Sequence, residues 1–153
     1  MQNKRNRILI AILLLLLITA AIWFFYFRNN SVDQKNFVQQ GSTTINYSEP
    51  VIKIWDYSAV DGDTIDFYFD GKLIFKNLGL EDSPTVFRPG SLSKGEHIIG
   101  VKGINEGTMG PASPHLSISD GKEMLEFDID AWKDSTSGSW KIIARHATII
   151  KIE

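Results

Sequence analysis

The chain has 153 residues, the size of about one domain. Its charges nearly balance, with 16 Lys and Arg against 18 Asp and Glu. Residues 1–28 hold four basic residues and no acid, whereas residues 29–153 hold the other 12 basic residues and all 18 acids, a net charge of −6. The length excludes a multidomain enzyme, and the acidic main part excludes a soluble nucleic-acid binder because it would repel phosphate.

Residues 8–27 form an unbroken apolar segment without a charge, a Gly or a Pro. Twenty residues at a helical rise of about 1.5 Å span about 30 Å, the hydrocarbon thickness of a bilayer. Three basic residues precede the segment, which favours a cytoplasmic N-terminus. We therefore predict a cytoplasmic tip at 1–7 and a transmembrane anchor in the lipid bilayer at 8–28. The C-terminal part would then be extracytoplasmic, either periplasmic or extracellular.

A cleaved signal peptide is the alternative interpretation of this segment. Signal peptides have apolar cores of about 7–15 residues, then a small-residue cleavage site followed by polar sequence. Here Ala20 and Ala21 are followed by further apolar residues up to Phe27, which favours an uncleaved anchor. The chain has no Cys, so it carries neither a lipoprotein anchor nor a disulfide framework.

The rest of the chain divides into a polar segment and a β-rich segment. Residues 29–50 are dominated by Asn, Gln, Ser and Thr without a sustained apolar period, which predicts a linker that does not fold alone. From residue 51 to 153, short β-rich runs recur between Gly, Asp, Asn and Pro. This pattern predicts an all-β domain, an antiparallel β-sandwich with immunoglobulin-like or jelly-roll-like connectivity, preceded by one transmembrane helix.

The clearest strand prediction is residues 63–70, where Ile65, Phe67 and Phe69 alternate with polar residues and Tyr68. Asp70-Gly71 then predicts a tight hairpin turn, because both residue types tolerate a positive φ. The eight predicted strands cover residues 51–56, 63–70, 72–78, 85–88, 97–104, 116–120, 122–129 and 140–152.

Acidic residues cluster around Gly62, between the first two predicted strands. Ca²⁺ takes several oxygen ligands, and carboxylates on a Gly-bent loop can converge on one ion, although the spacing is not that of an EF-hand. Two interpretations stay open: a calcium site, or a polar turn whose carboxylates cap loop amides. Calcium is the one cofactor expected. The candidate ligands are Asp56, Asp61, Asp63 and Glu106, with Asp120 as an alternative.

A second candidate surface follows at the seventh predicted strand. Glu126, Asp128 and Asp130 alternate along it and would present an acidic face to a basic partner such as an envelope protein. Trp132 comes next in a predicted loop and could stack on a sugar, whereas Trp55 lies in a strand and is expected in the core. A carbohydrate-binding module is thus the alternative function, with a glycan as the partner.

Signals for enzymatic chemistry are weak. His97, His115 and His146 lack a zinc-ligand spacing and are expected on the surface or rim. Ser91 and Lys94 match S-x-x-K, but no helical pattern surrounds them. We therefore predict a protein that is not an enzyme, with a hydrolytic enzyme as the weakest of the three functional alternatives.

Several motifs follow one another in a suggestive order and spacing: Trp55-Asp56, Asp61-Gly62-Asp63-Thr64-Ile65, Asn105-Glu106-Gly107 and Ile118-Ser119-Asp120-Gly121. Over about residues 51–130 the sequence resembles a small β-sandwich domain of bacterial secreted and envelope proteins. The resemblance implies a β-sandwich outside the cytoplasm and, since that group has no established activity, no catalytic residue. Together with the predicted anchor, it suggests a binding or structural module of the cell envelope.

Overall fold

The computed structural model describes residues 2–29, 36–57 and 60–145. The chain divides into a unit at residues 1–32 and a unit at residues 33–153. The first unit contains helix α1, Gln2–Asn29. Within the described part of the chain, no helix reaches the combined length and apolar character of a membrane span. The anchor expected at 8–28 stays a prediction.

The second unit is built from two β-sheets. One sheet has the strand order β1-β9-β6-β3-β4 and the other the order β5-β2-β7-β8. All neighbouring strands are antiparallel except β1 and β9, which are parallel. The strands are β1 Val38–Ile45, β2 Val51–Trp55, β3 Asp63–Phe69, β4 Lys72–Gly79, β5 Thr85–Phe87, β6 Gly95–Glu106, β7 His115–Ser119, β8 Met124–Asp128 and β9 Gly138–Ala144.

Both sheets share one hydrophobic core, so the sandwich-like β architecture predicted from the sequence is confirmed. Ile65 and Phe67 of β3 and Leu116 and Ile118 of β7 are fully buried, as the alternation of apolar residues requires. A constant immunoglobulin domain joins its first, second, fourth and fifth strands in one sheet. Here the second, fifth, seventh and eighth strands share a sheet. The strands are therefore distributed between the sheets differently from those of an immunoglobulin constant domain.

The β3–β4 hairpin forms at the predicted turn. Asp70 and Gly71 have φ angles of 49° and 77°, the positive values that the tight turn requires. Asp66 and Tyr68 lie on the face of β3 opposite Ile65 and Phe67, and both are buried as well. The Asp66 carboxylate accepts the backbone N–H of Asn77 at 2.8 Å, which compensates for its burial.

The predicted linker at 29–50 contains a strand, and the domain therefore begins earlier than expected. Strand β1 occupies Val38–Ile45, and Ile45 is fully buried in the core. The backbone of β1 pairs in parallel with β9, about a hundred residues away in the chain. Because its hydrogen bonds come from a distant partner, a mostly polar local sequence is sufficient for this strand. Of the last predicted strand, 140–152, residues up to 145 are described; β9 ends at Ala144, and residues 146–153 lie outside the described residues.

Strands β1 and β9 approach each other closely at Gly41 and Trp140. The indole of Trp140 stacks on Phe127 of the other sheet, with ring centroids 4.3 Å apart and an interplanar angle of 11°. Gly41 crosses the outer edge of the indole, where a Cβ would lie 2.3 Å from two ring carbons. Only a residue without a side chain allows β1 to pass here.

We expect Gly41→Ala to destabilise the domain by about 1–3 kcal/mol, because the new methyl group forces Trp140 off its stacked position. Urea unfolding of the full chain in detergent, followed by tryptophan fluorescence, measures this cost. Gly79→Ala is the matched control, since a Cβ at Gly79 has no neighbour within 4 Å. Equal stability of the two variants would contradict the steric role of Gly41.

Candidate functional site

Three of the four predicted carboxylate ligands meet at one end of the domain. Asp56 follows β2, Asp61 lies in the connecting loop and Asp63 begins β3. One oxygen of each carboxylate lies within 4.8 Å of the oxygens from the other two. We refer to Asp56, Asp61 and Asp63 as the carboxylate cluster.

The position of Asp61 is set by the loop that follows β6. Its Oδ2 atom accepts hydrogen bonds from the backbone N–H groups of Thr108 at 2.8 Å and Met109 at 2.9 Å, and from the Thr108 hydroxyl at 3.1 Å. These bonds favour the ionised form, so the Thr108 and Met109 N–H groups lower the pKa of Asp61. The side chain of Asn105 donates to the carbonyl of Gly62 at 2.8 Å and ties the same two loops together.

The tie between the loops depends on Gly107. Its φ of +57° lies in the left-handed region, and a Cβ would lie 2.2 Å from Oδ1 of Asp61. A side chain at this position would therefore push Asp61 out of the cluster. The Asn105-Glu106-Gly107 motif thus contributes through its backbone and through Asn105.

Glu106 was predicted as a fourth ligand, and the structure does not bring it to the carboxylate cluster. Its Oε1 atom accepts a hydrogen bond from the backbone N–H of Lys133. Although Glu106 is the cross-strand partner of Asp63, this loop amide directs its carboxylate away. Asp120 is also elsewhere: its Oδ1 atom accepts the N–H groups of Lys122 and Glu123 at 2.9 and 2.7 Å and caps its own turn.

Asp63 is the least satisfied member of the cluster. Its side chain is only 7% exposed, and its Oδ2 atom accepts the N–H of Ser113 at a long 3.3 Å. Its Oδ1 atom is buried and has no hydrogen-bond partner among the described groups. Burial raises the pKa of Asp63 to about 6, with the Ser113 N–H opposing and the charges of Asp61 and Asp56 adding to the rise. A buried, unpartnered carboxylate oxygen is a group that a cation would satisfy.

The spacing of the cluster is compatible with calcium. Oxygens bind Ca²⁺ at about 2.3–2.6 Å, so two ligands of one ion lie at most about 5.2 Å apart. The carboxylate oxygens of the cluster all lie within 4.8 Å of one another, so one ion can contact all three. A cavity of about 180 Å³ borders the cluster and is lined further by Met109, Pro111 and Ser113. It leaves room for the waters that complete a calcium shell.

The predicted acidic face exists, but a histidine lies within it. Glu126 and Asp128 are exposed on β8. Nδ1 of His115 lies 2.6 Å from Asp128, and Nε2 lies 3.7 Å from Glu126. The expectation of a surface or rim position is wrong for His115 and His97, each 8% exposed, because Asp128 of β8 holds His115 and Asp70 of the β3–β4 turn holds His97. His146 lies outside the described residues.

The remaining members of the predicted surface divide between the two areas. Asp130 accepts the Ser113 hydroxyl at 2.7 Å and so belongs to the surroundings of the carboxylate cluster. Trp132 is 46% exposed, in agreement with its predicted loop position. Trp55 is not a core residue, because it lies on the outer face of its sheet, edge-on to His115 at 4.6 Å. The 75% exposed ring of Tyr57 stacks on the same imidazole at 4.8 Å.

Comparison with known proteins adds no assignment. No family model matches the chain, and neither a curated protein nor a solved structure is significantly similar to it. The resemblance to small envelope domains stays a prediction from the motifs. The candidate site therefore stands on its own geometry.

In metal-free buffer, we expect stability to fall as the pH rises from about 4 to 6.5. The folded-state pKa of Asp63, about 6, exceeds its ordinary value of 3.8, so over this range the folded state retains a proton that the unfolded state has released. Thermal unfolding at pH 4.5 and 6.5 measures the effect. Asp63→Asn should flatten the slope, and Asp82→Asn, at an exposed loop carboxylate, should not. An unchanged slope in Asp63→Asn would contradict the assignment.

Proposed function

We propose that this protein is a membrane-anchored, extracytoplasmic binding or structural module of the bacterial cell envelope, stabilised by calcium at Asp56, Asp61 and Asp63. One observation carries the calcium part: three carboxylates converge, and the most buried of them keeps an unpartnered oxygen. Electrostatic repulsion among three such groups is unfavourable without a counter-charge. A divalent cation supplies that charge and the missing ligand contact together.

Calcium also fits the proposed location. Extracellular modules bind Ca²⁺ with dissociation constants of about 10⁻⁴–10⁻³ M, which suits a loop site built from a few carboxylates and water. The chain has no cysteine and so cannot use a disulfide to hold its loops. A bound ion would join the β2–β3 loop to β3, and Asp61 already holds the loop after β6. Together these contacts would restrain the loops as a disulfide bond does in other domains.

The anchor rests on the N-terminal sequence, since no described helix reaches the length and apolar character of a span. Residues 8–27 carry no charge and follow a basic tip. Leu13 to Leu17 in α1 are each more than half exposed within their unit. A helix that is apolar all round requires either a protein core or a lipid environment. We propose lipid at 8–28, with residues 1–7 in the cytoplasm.

The partner surface of the module is proposed at β8. Glu126 and Asp128 project from this edge strand and favour a basic surface on an envelope protein. Asp130 is exposed as well, and it accepts the Ser113 hydroxyl at 2.7 Å.

A carbohydrate-binding module is the second candidate function, and exposed aromatic rings favour it. Tyr57 and Trp132 present large exposed surfaces, and sugars stack on such rings. A glycan array with the full chain, and with Tyr57→Ala and Trp132→Ala, tests this alternative. A hydrolytic enzyme remains the weakest candidate. It would need a nucleophile or a general base that faces a substrate site, and we assign that role to neither His115 nor the carboxylate cluster.

We expect millimolar Ca²⁺ to raise the melting temperature of the full chain in detergent at pH 7. At about 10 mM, which is about ten to a hundred times the dissociation constants given above, Ca²⁺ adds about 1.4–2.7 kcal/mol, which corresponds to a rise on the order of 10 °C for a domain of this size. Differential scanning calorimetry with Ca²⁺, with Mg²⁺ and after addition of chelator measures the rise and its reversal.

Asp63→Asn should remove the calcium response and keep the fold, because the amide has nearly the same shape as the carboxylate. Asp82→Asn is again the matched control and should respond like the original chain. Asp61→Asn is less informative alone, since Asp61 also caps the N–H groups of Thr108 and Met109. No rise with Ca²⁺ in the original chain would end the calcium proposal and leave the anchor untouched.

The topology is tested by a separate measurement. We expect an alkaline phosphatase reporter fused after residue 153 to be active in a bacterial host, because this enzyme matures only outside the cytoplasm. Changing Lys4, Arg5 and Arg7 to Glu should reduce that activity, since the positive charges orient the segment. Reporter activity with a soluble fractionation pattern would instead indicate a cleaved segment.

A further inference from the structure

A second cavity, of about 560 Å³, lies at the other end of β3 from the carboxylate cluster. It opens between β4 and β5, the edge strands of the two sheets. Strand β5 has three residues and β4 has eight, so the short strand leaves part of β4 uncovered. The volume falls in the range of about 300–1,000 Å³ that is typical of small-molecule sites.

The floor of this groove is apolar and aromatic. Phe69, Phe87, Ile74 and Leu92 line it. Phe87 contacts Phe69 edge to face, with ring centroids 5.4 Å apart, and both rings belong to the aromatic cluster that seals this side of the core. Phe69 also stacks on the imidazole of His97 at 5.9 Å. The floor is thus held rigidly by the core beneath it.

The charged groups that line the groove are mostly cationic. Lys72 and Arg88 are exposed, and neither has a carboxylate within 4.0 Å among the described residues. Asp70 is the acidic group of the lining, and both its oxygens are occupied, by the N–H of Ile98 at 2.8 Å and by His97 at 2.7 Å. Burial disfavours the charge on His97, but its bonds to Asp70 and to a backbone carbonyl outweigh this and raise its pKa.

We propose that this groove binds a small organic carboxylate, with its apolar or aromatic body on Phe69 and Phe87 and its carboxylate at Lys72 and Arg88. Two unpaired cations next to an apolar floor complement a ligand that carries one negative charge and one hydrophobic part. A neutral ligand would leave the cations without a partner, and a polar anion such as sulfate would leave the aromatic floor without one. The site is separate from the carboxylate cluster and does not depend on calcium.

The probe is 4-(4-fluorophenyl)butanoate, observed by fluorine NMR with the full chain in phosphatidylcholine nanodiscs and with empty nanodiscs as background. We expect saturable line broadening, and at least tenfold weaker binding of the matching amide, which lacks the charge. Lys72→Gln combined with Arg88→Gln should weaken binding of the butanoate at least tenfold. Lys102→Gln, at an exposed cation of β6 outside the groove, should leave it unchanged.

Equal binding of the carboxylate and the amide would overturn the proposal, as would retention of binding in the double variant. Broadening that does not saturate, or that matches the empty nanodiscs, would also overturn it. Both exchanged side chains are exposed, so the double variant should fold, and its circular dichroism spectrum checks this. Loss of binding in Lys102→Gln as well would indicate a general charge effect and count against the groove.

Discussion

Asp63 is buried beside two other carboxylates, and the loops at this end of the domain are arranged around that constraint. A carboxylate in such a place is unfavourable to ionise, and its pKa rises to about 6. Asp61 is held in the opposite state by two N–H groups of the loop after β6. One carboxylate is thus kept charged by the protein, whereas the other loses its proton only near pH 6, and an added cation would compensate its buried charge at neutral pH.

In our proposal, the two interpretations that the sequence left open apply to different residues. Asp61 caps loop amides, which is the behaviour of a structural turn. Asp63 has an oxygen with no partner among the described groups, which is the behaviour of an incomplete ligand set. The capping holds the Asp61 carboxylate beside those of Asp63 and Asp56. The structural role of one residue therefore prepares the binding role that we propose for the others.

The parts of the fold that could be predicted are those encoded by neighbouring residues. Strand β3 and the Asp70-Gly71 turn depend on local backbone preferences, and both were found where expected. Strand β1 was not predicted from the sequence, because its hydrogen bonds come from β9 and its own polar sequence carries no pattern that indicates this distant partner. The burial of His115 was missed for the same reason, since Asp128 reaches it across the β7–β8 pair.

The candidate site shows the same division. Asp56, Asp61 and Asp63 lie within eight residues, so one bent loop is enough to bring them together, and their sequence predicted a cluster. Whether Glu106 joins them depends on the direction of one side chain, and that direction is decided by the N–H of Lys133 in another loop. Composition and spacing do not encode such a contact. The sequence thus indicates which carboxylates lie near a site, but the direction in which each side chain points depends on contacts that the sequence pattern does not show.

The carboxylate cluster and the apolar groove lie at opposite ends of the same two strands. Strand β3 runs from Asp63 to Phe69, a length of about 20 Å, and β6 runs back beside it from His97 toward Glu106. Among the described residues, no side chain lines both cavities. Groups this far apart without shared partners contribute additively to stability. We therefore expect the cation proposed for the cluster and the carboxylate proposed for the groove to bind independently of each other.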